Sequence, residues 1–115
     1  MATIAVAALN PGNPALVAAV AGPDVELLPL QELDTRLRAG GVSGIVVVSD
    51  DVDSDLAVLI AGMLGNGAPP AIEVHSDRWD GFHHSLLSEA CRGVISGFGV
   101  RGVVAAIQLL TDEAS

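Results

Sequence analysis

Gly44-Ile45-Val46-Val47-Val48-Ser49 carries no polar side chain until its last residue, and β-branched residues fill its middle. A strand with one wet face alternates apolar and polar residues, so a run without alternation fits a strand buried on both faces. Such a strand belongs in the middle of a parallel sheet, and parallel neighbours need crossover connections that lay helices over both faces.

Outward from this run the chain alternates short β-branched segments with longer ones of helical spacing, and Gly, Pro, Asn or Asp punctuates nearly every change. Toward the amino end, Thr3 to Ala8 is a first strand closed by Asn10-Pro11-Gly12. Pro14 to Ala21 is a short helix with Asn13 as its N-cap, stopped by Gly22-Pro23. Val25 to Leu30 is a second strand. Gln31 to Ala39 is an amphipathic helix with Leu33 and Leu37 inward, Asp34, Arg36 and Arg38 toward water, and Gly40-Gly41 at its end.

Toward the carboxyl end, Ser54 caps a helix over Asp55 to Leu64, broken by Gly65-Asn66-Gly67. Ala71 to His75 is a fourth strand, Trp79 to Ala90 a fourth helix, Arg92 to Ser96 a fifth strand and Val100 to Leu110 a fifth helix. Five strands alternating with five helices predict one three-layer α/β domain over residues 1–115, with a parallel five-stranded sheet in the flavodoxin-like order 2-1-3-4-5. A six-stranded Rossmann order is too long for 115 residues.

Half of the residues are apolar, but Phe82, Phe98 and Trp79 are the only aromatics, so Val, Ala, Leu and Ile fill the core. Fourteen acids against five arginines leave a net charge of -9, which repels phosphate backbones and anionic headgroups. Direct nucleic-acid and membrane partners are therefore not expected. The single Cys91 has no disulfide partner, no secretory signal opens the chain, and no apolar run is long enough to span a bilayer. These features point to a cytoplasmic protein.

With the elements placed, Ala90-Cys91-Arg92-Gly93-Val94-Ile95 and Val103-Val104-Ala105-Ala106-Ile107 resemble the last strand and helix of response-regulator receiver domains. The resemblance extends over nearly the whole chain in element order rather than in identities. It implies a phosphoryl-acceptor carboxylate after the third strand, for which Asp50 is the best candidate beside Ser49 and Asp51. It also implies an acidic pair after the first strand to hold magnesium, a hydroxyl at the fourth strand and a lysine at the fifth. This chain has Ala8, Leu9 and Asn10 at the first place, His75 and Ser76 at the second, and Ser96-Gly97 at the third. It contains no lysine at all. Magnesium would be held weakly without the first-strand acids, and no other cofactor is implied.

Other motifs fall short of complete sites. Read as a calcium loop from Asp51, the acidic run has Leu56 where Gly is needed and Gly62 where Glu is needed. Gly97-Phe98-Gly99-Val100-Arg101-Gly102 has dinucleotide-loop spacing, but only 13 residues follow it, too few for the acid on the next strand. His83 and His84 project ~100° apart on a helix and do not share one ion. Cys91 reads as a small buried residue, and no metal site is expected.

The resulting expectation is a non-enzymatic pseudo-receiver: a signal-transduction or assembly module working through protein contacts, either with a partner that acts in trans or as the N-terminal part of a longer regulator. Self-association as a homodimer would use the fourth and fifth helices, with Trp79, Phe82, His83 and Arg101 at the interface. The alternative is a small-molecule or anion-binding domain using the loops at the carboxyl ends of the strands, through Asn10, Ser49, Asp51, His75, Ser76, Gly97 and Gly99.

Overall fold

The computed structural model describes residues 3–20, 22, 24–49, 54–64, 68–75 and 91–114. Its strands are β1 (Thr3–Ala8), β2 (Val25–Pro29), β3 (Val42–Val48), β4 (Ala71–His75) and β5 (Gly93–Ser96). Its helices are α1 (Pro14–Ala19), α2 (Leu33–Ala39), α3 (Ser54–Leu64) and α4 (Val100–Ala114). All neighbouring strands are parallel, in the order β2-β1-β3-β4-β5 that the alternation of strands and helices predicts, with the run at 44–49 in the central strand. The expected helix over Trp79 to Ala90 lies outside the described residues.

Strand alternation divides the core into two layers. Ile4, Val6, Val46, Val48, Ile72 and Val74 face α1 and α4, meeting Leu16, Val103, Ala106 and Leu110. Ala5, Ala7, Ile45, Val47 and Ala71 face α2 and α3, meeting Leu33, Ile60 and Leu64. Ile45, Val46 and Val47 have no exposed surface, which confirms β3 as a central strand buried on both sides.

Two glycines set the distance between α4 and the sheet. A Cβ on Gly44 would stand 3.2 Å from both Cβ and Cδ1 of Leu110, and one on Gly102 would stand 3.1 Å from Val74 Cγ1 and 3.2 Å from Ile95 Cγ2. Gly102 is therefore a packing residue. Gly97 and Gly99, at φ 83° and 57°, make the turn that reverses the chain from β5 into α4.

Several boundaries differ from the sequence reading. β2 ends at Pro29, whose ring removes the next ladder donor, and a 3₁₀ turn over Leu30–Glu32 precedes α2. Arg36 does not simply face water: it is half-buried, its Nε pairs with the Glu26 carboxylate, and its Nη1 donates to the carbonyl of Gly40 at 2.6 Å. α4 runs past Leu110 to Ala114. Among the described residues no helix is long and apolar enough to cross a membrane.

Candidate functional site

The strands expose their carboxyl ends on one side of the sheet, where open α/β folds bind their ligands. Ser49 follows the last residue of β3, and its backbone N–H donates to the carbonyl of Val74 at 3.0 Å. That bond fixes its position beside β4. In β4 the two-residue period puts Glu73 and His75 on one face, with Val74 on the other. Val47 lies opposite Glu73 in register and points to the same face, so the third side chain from β3 on that face is Ser49.

These three side chains form one cluster. Glu73 is 1% exposed, and a carboxylate at that depth requires polar partners. The Ser49 hydroxyl lies 2.9 Å from Glu73 Oε2, and His75 Nε2 pairs with the same oxygen. Ser49 Oγ also stands 3.0 Å from Nδ1 and 3.2 Å from Nε2 of His75, and 3.4 Å from the carbonyl oxygen of Val74. The His75 side chain keeps 27% of its surface exposed, so it connects the buried acid to solvent.

Cys91 packs against the core layer on the α2 and α3 side and feels the charge of Glu73. Its thiol is pushed up from 9.0 to about 12, first by burial and then by the charge of Glu73. It stays protonated at neutral pH and adds no second anion beside the carboxylate. Among the described residues no group of three or more His, Cys, Asp or Glu side chains is placed to hold a metal ion.

The turn from β5 into α4 borders His75. His75 pairs with Ser96 in register, and the Gly97 N–H donates to the His75 carbonyl at 3.2 Å. Arg101 is exposed in the first turn of α4. Asn10 is exposed beyond β1, its carbonyl accepting the Asn13 N–H at 3.2 Å.

Of the residues singled out in the sequence, the structure thus brings together Ser49 and His75, with Gly97 adjoining. Asp50, Asp51, Ser76, Trp79, Phe82, His83 and His84 lie outside the described residues. Glu73 was missed. Its signal was an acid two residues before His75 in an otherwise apolar strand, which places both on one face.

The fold and this cluster define an open parallel α/β domain with an acid–base group at the carboxyl ends of its central strands. No protein-family model matches the chain. It is similar to a 3-dehydroquinate dehydratase of Marinomonas sp. (strain MWYL1), 34% identical over 88 residues, which are 73% of this chain and 58% of that protein. A 3-dehydroquinate dehydratase of Variovorax paradoxus (strain S110) is 32% identical over 85 residues, 70% of this chain and 58% of its own length. The chain therefore spans a little over half the length of these relatives.

Among solved structures, it is similar to type II dehydroquinase from Butyrivibrio crossotus DSM 2876, with a TM-score of 0.76 at 20% identity, covering 96% of this chain and 97% of the other. Type II dehydroquinase from Propionibacterium acnes superposes with a TM-score of 0.63 at 24% identity and the same coverage.

These likenesses correct the receiver resemblance. The relatives are dehydratases and dehydroquinases rather than receivers, which overturns the pseudo-receiver expectation and its signal-transduction and interaction role. The alternative of a binding domain without chemistry is displaced by the same relatives. What misled is physical: a buried strand, a glycine turn and a closely packed Ala-rich helix serve any sheet of this order, whatever its chemistry.

Proposed function

We propose that this chain is a dehydratase of the type II dehydroquinase kind, acting on 3-dehydroquinate or a closely related hydroxy-ketone carboxylate. One observation carries the reading: a histidine paired with a buried carboxylate stands at the carboxyl end of the sheet in a chain 34% identical over 88 residues to a 3-dehydroquinate dehydratase.

Loss of water from a hydroxy ketone takes a proton from the carbon beside the carbonyl and gives one to the departing hydroxyl. Both steps are proton transfers, and the elimination is redox-neutral, so the reading needs no cofactor. The chain has no tyrosine and no lysine, which leaves histidine and carboxylates as its acid–base groups near neutral pH. His75 gives its proton to the leaving hydroxyl, and Glu73 holds the ring and balances its positive charge.

The substrate is an anion in a chain of net charge -9, so it needs local positive potential. The amino end of α4 and Arg101, reached through the Gly97 turn beside His75, supply it for the carboxylate.

The test is incubation of the purified chain with 3-dehydroquinate, following the ultraviolet absorbance of the conjugated product. The expected result is turnover in the wild type and a loss of about 10²- to 10⁴-fold in kcat for His75→Gln. Turnover that survives His75→Gln unchanged, or none in the wild type, overturns the reading.

A further inference from the structure

The outward face of α4 differs from that of a helix that meets only water. Arg101, Val104, Ala105, Gln108, Leu109 and Asp112 are all exposed, at the spacing i, i+3, i+4, i+7, i+8 and i+11 that sets them in one stripe. The stripe lies opposite Val103, Ala106 and Leu110, which pack on the sheet. Val104 and Leu109 are large apolar side chains at 47% and 52% exposure. Although the chain has a net charge of -9, no acid stands between Glu89 and Asp112, so this stretch lacks the groups that would repel a second copy.

The two charges of the stripe are placed against their own helix. A helix carries partial positive charge at its amino end and partial negative charge at its carboxyl end. Arg101 in the first turn of α4 and Asp112 in the last each sit at the disfavoured end. In α2, by contrast, Arg38 reaches Asp34 one turn away at 3.0 Å. Arg101 and Asp112 stand about 16.5 Å apart along the axis and cannot meet within one chain. Asp112 Oδ1 accepts from Gln108 Nε2 at 3.2 Å, and Arg101 has no ion-pair partner among the described residues.

Both placements become favourable when a second α4 lies antiparallel across the first, about a two-fold axis between Ala106 and Ile107. Arg101 of each copy then faces Asp112 and the negative helix end of the other. Val104 comes opposite Leu109. Ala105 comes opposite Gln108, which puts a small side chain at the centre, where the helices approach most closely.

We propose that the chain self-associates through this stripe, as an antiparallel contact between the α4 helices of two copies in which Arg101 of each pairs with Asp112 of the other. A guanidinium has several N–H donors, so this pairing leaves some for a substrate anion at the Gly97 turn. Of the residues that the sequence points to for self-association, Arg101 lies on the stripe, whereas Trp79, Phe82 and His83 lie outside the described residues.

The test is sedimentation equilibrium on the whole chain and on charge-exchange variants. A contact of six residues a side is smaller than the roughly 20–30 of a standard interface, so the concentrations span about 10 μM to 1 mM. The wild-type mass should rise toward twice the 11.6 kDa of one chain. Arg101→Asp and Asp112→Arg each create two like-charge contacts across the axis and should weaken association about 10-fold or more. The double exchange restores opposite charges and should return association to within about threefold of wild type.

Asp112→Arg makes the chain less negative, so overall repulsion alone would strengthen association in that variant, whereas local pairing weakens it. Each exchange also improves the match of charge to dipole within its own helix, so far-UV circular dichroism should show the helix retained. A wild type that stays monomeric throughout overturns the proposal. So does an assembly of any size that is indifferent to the single exchanges or is not restored by the double one.

Discussion

The hydroxyl of Ser49 lies 2.9 Å from the carboxylate of Glu73, joining the end of β3 to the middle of β4 inside an otherwise apolar layer. This bond explains how a 1% exposed acid is tolerated on the same sheet face as Val47 and Ala71. Among the described residues no buried side-chain nitrogen or oxygen lacks a hydrogen-bond partner, so the cluster is a satisfied network.

Satisfied networks are sensitive to removal of one member, because the remaining polar groups stay buried without partners. Glu73→Ala should lower stability by about 1–3 kcal/mol in urea unfolding. Glu73→Gln keeps an acceptor oxygen and should lose less. Equal losses for the two variants would show that the retained shape and acceptor oxygen contribute nothing there and that the carboxylate charge is what matters.

The contact between Gly44 and Leu110 sets the height of α4 over β3. A Gly44→Val side chain would enter space already held by Leu110, and overpacking of this kind costs about 1–3 kcal/mol. Leu110→Ala alone leaves a void and should cost about 2–5 kcal/mol. The double variant should lose clearly less than the sum, since each change relieves the other. Additive losses in thermal unfolding would separate the two sites.

Asn13 caps α1 with Oδ1, which accepts from the backbone N–H of Ala15 at 3.0 Å and of Leu16 at 3.4 Å. Because α1 has only six residues, little of its stability comes from internal hydrogen bonds. Asn13→Ala should reduce stability by about 1 kcal/mol, and Asn13→Asp should retain most of it. A denaturation midpoint unmoved by Asn13→Ala would show that Leu16 packing alone holds the helix.

The element order was legible in the sequence because each signal there is local. The unbroken run at Ile45 to Val48 marks the central strand, Asn13-Pro14 marks a helix start, and Gly40-Gly41 marks an end. The site was less legible because its meaning depends on register. Ser49 and His75 stood out as polar residues at strand ends, but Glu73 becomes informative only when β4 lies beside β3 and all three share a face. The Gly97-x-Gly99-x-x-Gly102 spacing likewise reads as a phosphate loop until the packing of Gly102 on Val74 and Ile95 shows what excludes a side chain there. Arg36 looked solvent-facing by helical period, whereas its partner Glu26 comes from a different element. The receiver resemblance followed from the same limitation, since packing constraints repeat across unrelated chemistries.

Cys91 supplies a pH test of the buried acid. Its thiol titrates at about 12 in the folded chain and at 9.0 without the fold, raised by burial first and by Glu73 second. Between these values the unfolded chain has lost a proton that the folded chain retains, so stability should fall as pH rises from about 9 toward 12. Below 9.0 the thiol is protonated in both states and contributes no slope. Cys91→Ala should remove this part of the alkaline decline in urea midpoints, and Glu73→Gln should reduce it by removing the neighbouring charge. The same shift keeps the thiolate about a thousandfold scarcer than in an open thiol near pH 8, so iodoacetamide should modify Cys91 rapidly only after unfolding. Fast alkylation of the native chain, together with an alkaline decline identical in Cys91→Ala, would mean that Cys91 is open to solvent and that Glu73 does not influence it.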